Sequence, residues 1–175
     1  FDDQHAGTGK TVTLNISLSG DDANNYTLSN SQFTDNTGTI TQLASVTYVG
    51  TSGGNWSNGG NWAGGALPNR NNVAQVIIPT GITVNYDSAL VGRIGSAISN
   101  SGNILFNGSN AFEFNNNVSG SGTITQSGAG VLTVSGDNSA MTGNTLLSSG
   151  AKLIIGSANA LGSGSVVSTS GLLGV

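Results

Sequence analysis

The chain has 175 residues, of which 36% are hydrophobic and only 7% charged, with 28 Gly, 2 Pro and no Cys. A disordered chain of this polarity would carry more charge and more Pro, so Gly, Asn, Ser and Thr interspersed with Val, Ile and Leu point to short strands joined by tight turns. A net charge of −4 with 4 Lys and Arg in all argues against a nucleic-acid partner, and no apolar run is long enough to span a membrane as a helix.

Residues 1–44 read as part of a small antiparallel β module. Thr11-Val12-Thr13-Leu14-Asn15-Ile16-Ser17-Leu18 puts Val12, Leu14, Ile16 and Leu18 on one face of a half-buried strand. Ser19-Gly20-Asp21-Asp22 is a turn signal, and Tyr26-Thr27-Leu28 and Gly38-Thr39-Ile40-Thr41 read as further short strands. Gly7-Thr8-Gly9-Lys10-Thr11 suggests a phosphate-binding loop. However, Gln4 stands where that motif needs Gly, and a strand pattern follows where it needs a helix, so the segment is expected to be a turn.

Phe1-Asp2-Asp3, Ala6-Gly7-Thr8-Gly9-Lys10-Thr11-Val12-Thr13 and Leu18-Ser19-Gly20-Asp21-Asp22-Ala23-Asn24-Asn25-Tyr26-Thr27-Leu28 together resemble the second half of a YDG-type module. Such modules occur in tandem in filamentous-haemagglutinin-like adhesins. The first half of the module, with its Tyr-Asp-Gly, is missing here, and Phe1 and Val175 both fall mid-pattern, so a longer natural chain is expected.

Residues 45–72 change character. Asn55-Trp56 and Asn61-Trp62 stand in a run of Gly, Ser and Asn, ahead of Gly64-Gly65-Ala66-Leu67-Pro68. Linkers seldom carry two Trp, so this stretch is expected to be an ordered cap and connector covering the open end of a solenoid. The same residues are the candidate ligand contacts. An aromatic face stacks on a sugar and Asn supplies polar contacts, which makes Trp56, Trp62, Asn55 and Asn61 a candidate glycan site.

From Val73 the chain repeats. Gly102-Asn103-Ile104-Leu105-Phe106-Asn107-Gly108 recurs as Gly122-Thr123-Ile124-Thr125-Gln126-Ser127-Gly128. Gly130-Val131-Leu132-Thr133-Val134-Ser135-Gly136 recurs as Gly150-Ala151-Lys152-Leu153-Ile154-Ile155-Gly156. A fixed period of about 20 residues with Gly-bounded strands is the mark of a β-solenoid, here over residues 73–175. It predicts that Ile104 stacks on Ile124, and Leu132 on Leu153 within a residue. Equivalent positions lie one above another, so a repeated charge would face its own kind. Asn, Ser and Thr instead stack without repulsion and can form hydrogen-bond ladders.

Gly128-Ala129-Gly130-Val131-Leu132-Thr133-Val134-Ser135-Gly136-Asp137-Asn138, Thr142-Gly143-Asn144-Thr145, Ser149-Gly150-Ala151-Lys152-Leu153 and Ala160-Leu161-Gly162-Ser163-Gly164 are similar to the autotransporter-associated β-strand repeat. Met141 departs from its pattern, standing where an aromatic residue is common. The resemblance implies a right-handed parallel β-helix in the passenger of a type V secreted protein.

The chemistry-bearing residues are sparse. After Val73 the acids are Asp87, Glu113 and Asp137 and the cations Arg93 and Lys152. The intervals between the acids exceed the repeat period, so no catalytic constellation is expected. His5 has no neighbouring Cys or His. Asp21, Asp22 and Asp35 lack the spacing of a calcium loop, so no metal or cofactor is expected. Asn-x-Ser/Thr triplets at Asn15, Asn25, Asn55, Asn107 and Asn117 are frequent by chance in so Asn-rich a chain.

The resemblances imply an all-β surface adhesin or structural stalk rather than an enzyme. It is expected to be secreted to the bacterial cell surface through an outer-membrane partner, to which the absence of Cys is suited. Its partners would be a host or bacterial surface glycan or protein, or other copies of itself in aggregates or biofilm. The alternatives from other classes are a polysaccharide-active β-helix enzyme and a filament-forming matrix protein.

Overall fold

The computed structural model describes residues 1–3, 5–87 and 96–174, which leaves Arg93 outside the described residues. Among these, regular structure is β-strand apart from two short 3-10 turns. The chain forms two compact units, Phe1–Gln42 and Leu43–Val175.

The first unit is an antiparallel pair, β1 (Gly7–Asn15) and β2 (Gln32–Ile40). Leu14 lies opposite Phe33 and Val12 opposite Asp35. Two expectations are corrected here. Gly7-Thr8-Gly9-Lys10 is not a turn but the start of β1, where the register shifts between Gly7 and Lys10 and again before Val12. Gly9, at φ 69°, supplies the left-handed backbone that such an irregularity uses. Tyr26-Thr27-Leu28 is not a strand; it leaves the 3-10 turn Ala23–Asn25 as irregular chain. The strand expected to be half-buried also keeps Leu14, Ile16 and Leu18 exposed, and the last two lie beyond its end.

The second unit is a parallel β-solenoid of three sheets. The first sheet stacks β3 (Leu43–Thr47), β5 (Val73–Ile78), β7 (Ala97–Asn100) and β10 (Val118–Ser119). The second stacks β4 (Gly54–Asn55), β6 (Thr83–Asn85), β8 (Asn103–Phe106), β11 (Thr123–Gln126), β13 (Thr145–Leu147) and β15 (Val166–Ser168). The third stacks β9 (Phe112–Phe114), β12 (Val131–Val134), β14 (Lys152–Ile155) and β16 (Leu172–Gly174). Ile104 pairs with Ile124 and Leu132 with Leu153 in parallel register, and all four are buried.

The register steps show where the period holds. Ile98 to Val118 and Ile104 to Ile124 are steps of 20, and Ile124 to Thr145 and Thr145 to Val166 are steps of 21. Val76 to Ile98 is 22, and Val46 to Val76 is 30. Parallel pairing therefore reaches back to Leu43, and residues 45–72, expected as a cap ahead of the solenoid, form its first coil. That coil escapes the repeat pattern because its step is half as long again.

Inward residues alternate with outward ones along each strand, so each column builds a stripe of core. Val46, Val76, Ile98 and Val118 are one such column. Gly bounds the strands because neighbouring backbones touch there. A methyl on Gly122 would overlap the carbonyl oxygen of Gly102, one on Gly143 that of Gly122, and one on Gly164 that of Gly143. Any side chain in this column would push the coils apart.

Asparagine joins the coils from inside. Asn138 accepts from Val118 N at 2.7 Å and donates to the Ala160 carbonyl. Asn116 donates to Ser96 O at 2.9 Å, and Asn100 donates to Thr123 O at 2.9 Å. On the outside, the Asn103 carboxamide oxygen accepts from the hydroxyls of Thr123 and Thr125, both at 2.8 Å. The polar composition is thus spent largely on linking one coil to the next.

Candidate functional site

The four candidate contact residues meet on the first coil, where the two tryptophans build the interior, Asn61 is half-buried and Asn55 is exposed. After β4 the chain turns Trp56 inward, runs through the 3-10 turn Gly59–Asn61, and turns Trp62 inward again. Asn58 starts that turn by accepting from Gly60 N at 3.0 Å. Trp56 is 0% and Trp62 1% exposed. Their ring centroids are 4.6 Å apart, and Trp62 meets Tyr48 edge-on at 5.1 Å. Trp62 Nε1 donates to Trp56 O at 2.9 Å, while Trp56 Nε1 is buried with no partner.

With both rings covered, neither presents a face to a sugar, so glycan stacking on Trp56 or Trp62 is corrected to a core role. The asparagines are engaged too. Asn61 Nδ2 donates to Asn55 O at 2.9 Å, and Asn85 Nδ2 donates to Asn55 Oδ1 at 2.8 Å. Asn61 O accepts from Val49 N and Gly50 N, tying the turn to the segment after β3. The rings extend into an aromatic column: Trp56 lies 5.0 Å from Tyr86, and Tyr86 5.1 Å from Phe106.

Each carboxylate of the solenoid is held by a different serine. Asp87 accepts from Ser57 N at 3.1 Å and from the Ser57 hydroxyl, joining the first two coils. Glu113 accepts from Ser135 Oγ at 2.8 Å. Asp137 accepts from Ser139 N at 3.1 Å, and its own N–H donates to Asn117 Oδ1 at 3.0 Å. The bonds from Ser139 hold the Asp137 carboxyl below the usual carboxylate range. Glu113 stands opposite Thr133 and not opposite Asp137, so the repeat carries these two acids in different columns. Lys152 stands opposite Val131.

In the first unit Asp3 accepts from Lys10 Nζ at 2.5 Å and from His5 N at 2.8 Å, and the Lys10 bond is the main cause of its lowered pKa. Within β2, Asp35 accepts from Thr37 N at 3.0 Å and from Thr37 Oγ1 at 2.7 Å, where the register with β1 shifts. Asp22 accepts from Asn25 Nδ2 at 3.4 Å. Among the described residues, no three His, Cys, Asp or Glu side chains are grouped so as to hold a metal ion.

Residues 1–34 match the YDG domain family. The YDG segment thus covers β1, the turn after it and the first residues of β2, and the β-solenoid follows. Comparison with curated proteins and with solved structures gives no match.

The site residues that sequence reasoning missed are the buried asparagines and the Tyr86–Phe106 column. The aromatic pair left a signal, since the two positions are one repeat period apart. The asparagines left little, because Asn is common throughout the chain.

Proposed function

We propose that this chain is part of a secreted bacterial surface protein whose solenoid serves as a stalk for adhesion, aggregation or biofilm cohesion. The observation that carries this reading is the succession of a YDG segment and a coil-by-coil solenoid whose polar side chains are spent on inter-coil bonds. A solenoid is quasi-one-dimensional, so length is gained by adding coils and each coil needs only its neighbours. Fold alone does not assign function. The dispersal of Asp87, Glu113 and Asp137 among separate serine partners favours a scaffold over a polysaccharide-cleaving enzyme, which needs converging acid and base groups.

Its partners on this reading are a surface glycan or protein, or further copies of the same protein. Binding would be weak per site and strengthened by multivalency along the stalk. Resemblance to YDG modules favours two-partner secretion, and resemblance to the β-strand repeat favours an autotransporter route. Either requires an outer-membrane β-barrel, in a partner or in the same polypeptide.

The test uses a strain making the whole protein and a deletion of residues 43–174 in frame. The expected result is protease-accessible protein on intact cells, with cell aggregation or surface attachment lost on deletion. Retained attachment, protein confined inside the cell, or reducing ends released from a glycan panel by the purified chain would overturn the reading.

A further inference from the structure

Beside the corner that follows β8 lies a cavity of about 140 Å³, bounded by the end of the aromatic column. The rings of Tyr86, Phe106 and Phe112 form one side of it, with centroids 5.1 to 5.8 Å apart. Leu132, the inward residue of β12, forms another side, with its neighbour Val131 adjoining. Gly108, Asn110 and Ala111, all on the exposed corner, make its mouth.

Two observations bear on what the cavity takes. The next coil closes tightly on this corner, since a methyl on Gly128 or Gly130 would overlap the backbone of Gly108 or Asn110. The buried polar side chain in the lining is Gln126, and it spends its amide N–H groups on Gly128 O at 3.1 Å and Gly130 O at 2.8 Å. The wall is therefore fixed, and those donors are not offered to a guest.

We propose that this cavity binds one small uncharged aromatic ring, of benzene to phenol size. An enclosed apolar cavity of about 150 Å³ takes one benzene; the space here is of that size, walled by rings and Leu132, and opens to solvent at the corner with Gly108 and Asn110. Rings already arranged with centroids 5.1 to 5.8 Å apart favour a further ring in an edge-to-face or offset contact. A charged guest would meet no charged side chain among the lining residues, and a sugar would turn several hydroxyls toward the rings and Leu132. The exposed Asn110 amide at the mouth can meet one hydroxyl, which admits phenol as well as benzene.

The test titrates the whole chain with benzene and phenol, and in separate arms with glucose and N-acetylglucosamine, following the methyl signals of Val131 and Leu132 by NMR. The expected result is a saturable shift with the aromatic compounds and none with the sugars. Ala111→Leu, at an exposed position, should fill the mouth and weaken binding at least tenfold with the melting temperature unchanged. Leu132→Phe should block the cavity from the opposite wall. Shifts that stay linear to the solubility limit, unchanged affinity in both variants, or saturation by a sugar and not by phenol would overturn the proposal.

Discussion

Leu14 and Leu132 are the same residue in the two units of this chain, one 57% and the other 1% exposed. Leu14 stands in β1 opposite Phe33, itself 49% exposed, on a ribbon of two strands. Leu132 stands in β12 with Phe112 on one side of it in the sheet and Leu153 on the other. A two-stranded ribbon has no second layer to cover its apolar face and is marginal in water by itself. A coil of three strands closes round its own inward side chains, and the next coil covers what remains. The contrast teaches that alternation of apolar and polar residues specifies a face, while burial of that face depends on a second layer.

The largest effect should come from the first coil. Trp62→Ala removes a ring packed on Trp56 and Tyr48 and the Nε1 bond to Trp56 O. The expected cost is about 3–5 kcal/mol, the usual range for a buried Trp. In a solenoid the loss should fray the first coil more than the distant ones, so Trp56 fluorescence should report an early transition while amides of β11 and β13 keep their protection from hydrogen exchange. Uniform loss of protection along the solenoid would mean that the coils unfold as one block. Loss of neither signal would mean that the rings contribute nothing to the coil.

The two leucines give the direct comparison. Leu132→Ala should cost about 2–5 kcal/mol, whereas Leu14→Ala should stay within about 0.5 kcal/mol, as at other exposed positions. Hydrogen-exchange protection of the β12 amides measures the first, because both Trp lie in the first coil and report on that coil. NMR signals of β1 and β2 measure the second. Equal costs at the two sites would erase the distinction between the units.

How much of this was legible in the sequence follows from the same physics. The columns Ile104–Ile124 and Leu132–Leu153 could be read because near-equal steps repeat between Gly positions that must touch. The first coil could not, because its step of 30 breaks the period, and Trp56 and Trp62 then looked like additions to the solenoid. Their spacing gives no sign of which way they point; only the pairing of β4 with β6 turns Trp56 inward. In the ribbon, Val12 and Leu14 announced their strand, but its start at Gly7 depends on the left-handed Gly9 and could not be distinguished from a turn. The buried Asn138 was hidden by a composition in which Asn is everywhere.

The one effect of opposite sign concerns a residue that breaks its own column. Val84, Ile104, Ile124, Thr145 and Val166 follow one another in register through the second sheet. Thr145 is buried and its Oγ1 has no hydrogen-bond partner. An unsatisfied buried hydroxyl costs about 1–3 kcal/mol, and Val matches the shape of Thr while removing the oxygen. Both are β-branched and suited to a strand, so the exchange isolates the polar atom. Thr145→Val should therefore raise solenoid stability by about 1 kcal/mol, read as a higher urea midpoint at unchanged slope. A midpoint that falls would mean the hydroxyl has a partner worth keeping, such as an ordered water between β11 and β13. That outcome would also weaken the comparison between the units, since the interior of the solenoid would then be wet at its centre.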